Sequence, residues 1–191
     1  MITFDQMNLF VTLALVIVIV DGRATVQAGQ LPGVEATVIH TSMRDWRGAD
    51  SLVDAVLLFD VFMHVDHEDR QTIYQKLLTQ CLAPNGIAIV ITECSNPNSG
   101  FIGIMDRFGK PMKVFYDEVE KEMLAAGFSL VYTQDIWGTD DFSNPTDDLV
   151  KYLQMVVDNV ASEQEMRSAI ADIYKPNKQS TFHKKLGIFK K

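Results

Sequence analysis

The chain has 191 residues, of which 47% are hydrophobic and 22% charged, with 11 Gly and 6 Pro. That mix excludes a disordered, collagen-like or disulfide-rich protein and suffices for one domain with a sizeable core. Acidic residues outnumber basic ones, 25 to 17, for a net charge of -8, the wrong sign for a surface that neutralises phosphates.

In chain order, the first feature is the apolar run Leu9 to Val20. It is shorter than the roughly 20 residues a membrane span needs. It has the length of a signal-peptide core, with Val26-Gln27-Ala28 resembling a cleavage site, but Asp5 precedes it and no Lys or Arg does. The better reading is a buried parallel strand ending at Asp21-Gly22. Ala36 to His40 and Asp54 to Phe59 are further strand candidates. Beyond Asp66, Ile73, Leu77, Leu78 and Cys81 recur at helical spacing, with Asp66, Glu68 and Asp69 near the N-terminus. Pro84-Asn85-Gly86 is a turn, and Ile87 to Thr92 resumes the strand pattern.

Asn96 to Gly100 reads as a polar loop and Phe101 to Phe108 as a short helix. Asp117 to Ala126 is a helix whose Val119, Met123 and Ala126 share a face, capped by Gly127. A strand from Phe128 to Trp137, helices Thr146 to Asp158 and Ser162 to Tyr174, and a strand from Thr181 to Phe189 complete the pattern. No repeat is present. Strand–helix alternation predicts an α/β fold with a mostly parallel sheet and helices on both faces. Ligands of such sheets bind beyond the carboxyl ends of the strands. The residues to inspect are Asp21, Thr41 to Asp45, Asp60, Glu93 to Ser95 and Trp137.

The two cysteines, Cys81 and Cys94, sit in apolar segments and are expected to stay reduced, as in a cytoplasmic protein. His64 and His67 (HVDH) have metal-like spacing but no third ligand nearby in sequence, so no metal site is predicted. No Ser-His-Asp or Cys-His arrangement or phosphate loop is expected from the sequence pattern.

The order DAVLLF, Asp60, VFMHV, a helix, LAPNGIAIVIT, then a helix ending in AAGF and a further strand resembles the second half of class I S-adenosylmethionine-dependent methyltransferases. The loop SNPNSGFIGIMDRFGKP and the segments DIWGTDDF and DDLVKYL are similar to the histamine N-methyltransferase family, from about Gly33 to the C-terminus. The resemblance implies a Rossmann-like methyltransferase sheet, incomplete at the N-terminus. Residues 1–191 then form one domain, with an atypical segment 1–32 and a helical insert 138–178. It also implies S-adenosyl-L-methionine as cofactor, a small amine such as histamine as substrate, no nucleic acid or membrane partner, and methyl transfer to nitrogen. Little acid–base machinery is needed for that reaction, and no catalytic residue is assigned.

On the same resemblance, Asp21 falls where an acid holds the cofactor's ribose, Ser42 and Asp45 where a loop borders the adenine, and Phe59 where an apolar group touches the cofactor. Asp60 and Lys184 replace two family amides that contact the substrate; they either select a different substrate or pair with each other. A solvated tail position is the simplest reading of Lys184. Phe101, Met105 and Tyr152 match the amine pocket, although each also suits an ordinary core. The main departure is the first-strand turn: Asp21-Gly22-Arg23-Ala24 has one Gly where three are usual.

The chain is also about a third shorter than that family, the missing part lying at the N-terminus, as in a truncated isoform or gene fragment. Val16 to Asp21 either replaces the first strand or is the second; the spacing from Asp21 to Asp45 favours the second. A sheet without its first strand would leave an apolar edge, and self-association through the N-terminal apolar segment is expected. The competing function is a catalytically inactive fragment of this fold, or a regulatory binding domain.

Overall fold

The computed structural model describes residues 16–17, 52–140, 146–157, 159–173 and 180–191. The strands are Val16–Ile17 (β1), Val53–Phe59 (β2), Leu82–Glu93 (β3), Ser129–Asp140 (β4) and Ser180–Lys190 (β5). The helices are His67–Lys76 (α1), Gly100–Arg107 (α2), Tyr116–Ala126 (α3), Asp147–Val156 (α4) and Glu163–Ile173 (α5). The predicted strand Ala36 to His40 lies outside the described residues. Among those described, no helix is long and apolar enough to cross a membrane.

The sheet order is β1-β2-β3-β5-β4. β1, β2 and β3 run parallel, whereas β5 is antiparallel to both β3 and β4. The sheet is therefore mixed, which corrects the expectation of a mostly parallel one. Apolar period reports burial and not direction, so a last strand slotted between two earlier ones leaves no trace in the pattern. Val16 and Ile17 pair in parallel with Val56 and Leu57, as expected of a parallel strand. The rest of the predicted strand, to Asp21, lies outside the described residues.

β2 buries Val53, Ala55, Val56 and Leu58, while Leu57 is half-buried and Phe59, at its end, is exposed. Pro84-Asn85-Gly86 loops out of β3. Between the pairs Val53↔Leu82 and Ala55↔Ile87 the ladder shifts register, and Asn85 takes a left-handed φ of 66°. α1 continues into a wider turn at Leu77–Cys81, which keeps Ile73, Tyr74, Leu77 and Cys81 fully buried. α3 ends as predicted at Gly127, whose φ of 113° is unfavourable for any residue with a Cβ.

α1 and α3 pack on the sheet face formed by Val56, Leu58, Ala88, Val90 and Phe189. At Gly187 of β5 the Tyr116 hydroxyl comes so near that a Cβ would lie 2.2 Å from it, so glycine lets the first turn of α3 seat on the sheet. Leu57, Ile89, Leu186 and Ile188 on the opposite face are only half-buried. α2, α4 and α5 form a separate apolar cluster around Ile104, Met105, Val150, Leu153, Met166 and Ile170.

A polar network ties α1 to α3. Arg70 is 1% exposed. It donates Nε to Glu122 Oε2 at 2.8 Å, Nη2 to Glu122 Oε1 at 2.6 Å and Nη1 to the Val65 carbonyl at 2.8 Å. Tyr74 donates its hydroxyl to Glu122 at 2.8 Å, and His67 Nδ1 lies 2.7 Å from the same carboxylate. The HVDH motif thus serves this network through His67.

Candidate functional site

A cavity of about 430 Å³ opens at the carboxyl ends of β2 and β3, beneath α2 and α4. Phe59 and Asp60 come from the end of β2, Ile91 and Glu93 from β3, Ile136 from β4, and Phe182 and Lys184 from β5. Phe101 on α2 and Leu149, Tyr152 and Leu153 on α4 form the roof. Crevices at this end of an α/β sheet are the usual ligand sites of such folds.

The strand registers explain the convergence. Phe59 lies opposite Ile91, Leu186 opposite Ile91 on the other side, Lys184 opposite Glu93, and Ile136 opposite Lys184. These side chains all stand on one face, because alternate residues of each strand do. Gly138 pairs with Phe182, and a Cβ there would sit 2.2 Å from the ring. The missing side chain is what lets Phe182 fold across β4 into the cavity wall.

Asp60 ends β2 by donating its backbone N–H to the Ile91 carbonyl at 2.8 Å. Its φ is then 52°, a left-handed conformation uncommon outside glycine and found in Asp and Asn more than in other side chains. That twist turns the carboxylate toward β5, where it forms an ion pair with the Lys184 ammonium. Glu93, 3% exposed, lies 3.6 Å from the same ammonium. The Phe59 ring takes Lys184 Nζ over its face, 4.8 Å from the centroid. Two carboxylates therefore share one ammonium inside a wall of aromatic and aliphatic groups. Tyr152 reaches the same space from α4. Burial raises its phenol above the usual range, and the negative charges of Asp60 and Glu93 add to that, so it stays protonated as a donor.

Of the residues singled out from the sequence, Phe59, Asp60, Phe101, Tyr152 and Lys184 line this one cavity. Lys184 is a partly buried ion-pair member and not a solvated tail residue. Met105 is 2% exposed and belongs to the α2–α4–α5 cluster, outside the cavity wall. Asp21, Ser42 and Asp45 lie outside the described residues. Glu93 and Trp137 were among the strand-end positions marked for inspection. Glu93 joins the cavity, while Trp137 stands on the opposite face, stacked on His183. Ile136, Phe182 and Leu149 were missed; period-two alternation through β4 and β5 is the signal that could have found the first two.

No known family's sequence pattern matches the chain, and no curated protein matches it in sequence. Similar solved structures include a Bacillus halodurans C-125 protein provisionally named a methyltransferase, 12% identical with a TM-score of 0.49, covering 78% of this chain and 69% of that one. The N-methyltransferase NodS of Bradyrhizobium japonicum WM9, in complex with S-adenosyl-L-homocysteine, is 12% identical with a TM-score of 0.43, covering 78% of this chain and 51% of that one. The [4+2]-cyclase SpnF is 13% identical with a TM-score of 0.47, covering 79% of this chain and 54% of that one. The chain thus spans little more than half the length of the latter two.

Proposed function

We propose that this chain is an S-adenosylmethionine-dependent N-methyltransferase-like protein whose pocket takes a small cationic amine, of which histamine is one example. The observation that carries the reading is the lining of the cavity: the carboxylates Asp60 and Glu93 with Lys184, set among Phe59, Phe101, Tyr152 and Phe182. Carboxylates set among aromatic faces favour an ammonium, and the rings exclude water. The carboxylates also provide an acceptor for the proton that an amine nitrogen sheds.

S-adenosyl-L-methionine, when bound, supplies an already activated methyl group. Phe59, 56% exposed at the end of β2, suits an apolar contact to it; Asp21, Ser42 and Asp45 are the other residues the resemblance assigns to holding it. The protein's own contribution is to hold the acceptor amine at Asp60 and Glu93 and to keep water out with the roof of α2 and α4.

The single glycine in Asp21-Gly22-Arg23-Ala24 favours a second reading, a binding domain of this fold that no longer turns over. Each backbone hydrogen bond lost from a glycine-rich turn costs about 1 kcal/mol. Calorimetric titration of the chain with S-adenosylmethionine is therefore expected to show weak binding or none, and a sub-micromolar dissociation constant would contradict this. Activity with a primary amine, read as methyl incorporation, separates the two readings.

The pocket is tested separately. Asp60→Asn is expected to weaken binding of a cationic amine about tenfold or more, the loss of one charge-assisted hydrogen bond, and to leave binding of its neutral alcohol analogue unchanged. The amide tolerates the same left-handed backbone. Equal amine affinity in the two proteins would place the amine elsewhere.

A further inference from the structure

The strand ends that carry Glu93, Ile136 and Lys184 into the pocket carry Cys94, Asp135 and His183 on the opposite face. We propose that Cys94, Asp135 and His183 form a binding site for a borderline-soft divalent cation of the zinc class.

Three adjacent strands supply one donor each: a thiol from the end of β3, a carboxylate from β4 and an imidazole from β5. Their ligand atoms all lie within 4.8 Å of one another. Zinc at ordinary bond lengths to sulfur, nitrogen and oxygen holds tetrahedral donors about 3.4–3.6 Å apart. Closing that difference is the adjustment the site requires of its side chains. Thiolate, imidazole and carboxylate together match zinc or cobalt better than magnesium or calcium, which prefer oxygen alone. Three protein donors leave a fourth position for water or another ligand.

The surroundings hold the donors in place. The Cys94 N–H donates to the His183 carbonyl at 2.7 Å, fixing the two backbones. His183 Nε2 lies 2.7 Å from Asp135 Oδ1, so two of the donors already face one another. The Trp137 ring stacks on the imidazole at 3.7 Å with an 8° tilt and fixes its plane. Nearby charge is mixed: Lys185 reaches Asp117 at 3.8 Å and lies over the Tyr116 ring. Cys94 itself is 7% exposed, and burial pushes its thiol up to about 11, so it is not set up as a free nucleophile. A bound cation displaces the thiol proton to solvent and takes the thiolate as ligand.

The other grouping of this kind among the described residues, His67 with Glu118 and Glu122, is a poorer candidate. Both Glu122 oxygens already accept from Arg70, and the guanidinium occupies the space a cation would need.

The test is titration of the reduced full-length chain with cobalt(II), followed by the near-ultraviolet band that only a thiolate–cobalt bond produces. One equivalent is expected to generate the band and zinc to abolish it. Cys94→Ser should remove it and Cys81→Ser should retain it. Asp135→Asn, at an exposed position on the sheet edge, should weaken cobalt at least about 10-fold without altering the metal-free melting curve. No thiolate band in the unsubstituted chain, a band lost in Cys81→Ser, or cobalt affinity unchanged in Asp135→Asn would overturn the site. Should Cys94→Ser fail to fold, the Asp135→Asn and Cys81→Ser results decide it.

Discussion

Replacing Glu122 by alanine is expected to destabilise the protein by about 3–5 kcal/mol, the cost of leaving a buried charge without its partner. Arg70 is 1% exposed, and without that carboxylate it keeps only the Val65 carbonyl and the more distant contact of Nη2 with the exposed Glu118, at 3.3 Å. Tyr74 would lose its acceptor as well. For a chain of this size the melting temperature should fall by on the order of 10 °C. Replacing both partners with apolar residues, Arg70→Met with Glu122→Leu, should recover most of the loss, because the desolvation cost of the pair disappears with it. A melt of Glu122→Ala within a degree or two of the parent would show that Arg70 finds another partner.

The same pair gives a pH dependence. Burial alone would raise the Glu122 carboxyl, but hydrogen bonds from Arg70, Tyr74 and His67 outweigh it and hold the group below its ordinary value. The folded protein therefore binds this proton less readily than the unfolded chain does. The resulting stabilisation is complete above the unfolded value, near about 4.3, and is lost as pH falls through the lower folded value. Urea titrations stepped downward from neutral pH should show that loss in the parent and a flatter profile in Glu122→Ala.

Ile170→Ala is expected to cost about 2–5 kcal/mol, and to do so locally. Ile170 is 1% exposed in the cluster that α5 shares with α2 and α4, which is separate from the one between the sheet and α1 and α3. Hydrogen exchange should quicken at the amides of α2, α4 and α5 while those of α1, α3 and β3 keep their protection. Leu149, Tyr152 and Leu153 belong to the loosened part. Ligand affinity at the cavity should fall accordingly. Uniform acceleration across all helices would mean that the two clusters unfold as one unit.

Much of the architecture was readable because local chemistry decides it. The α3 boundary at Gly127 and the apolar β2 needed only neighbouring residues. Strand direction did not, since the insertion of β5 between β3 and β4 is settled by pairing partners far away in sequence. At the cavity, Asp60 and Lys184 were accessible through the rule that ligands gather at strand ends, and their mutual pairing was one of the alternatives raised. Phe101 and Met105, four residues apart, share a face of α2 that packs on α4 and α5; Phe101, in the first turn, also reaches the cavity, and Met105 lies one turn further on. The Arg70–Glu122 bond joins residues 52 apart, and nothing in the local pattern announces it.

The pairs 93/94, 135/136 and 183/184 each place one side chain on the cavity face and the next on the Cys94 face. Insertion or deletion of a single residue within β5 would therefore not merely displace Lys184. It would trade Lys184 for His183 across the sheet, putting an imidazole beside Glu93 and an ammonium beside Cys94 and Asp135. Either surface can change side chain by side chain, but neither can change its length without rewriting the other. Substitution is thus the only gentle route by which this sheet end can diverge, and strand length here is inherited as a unit.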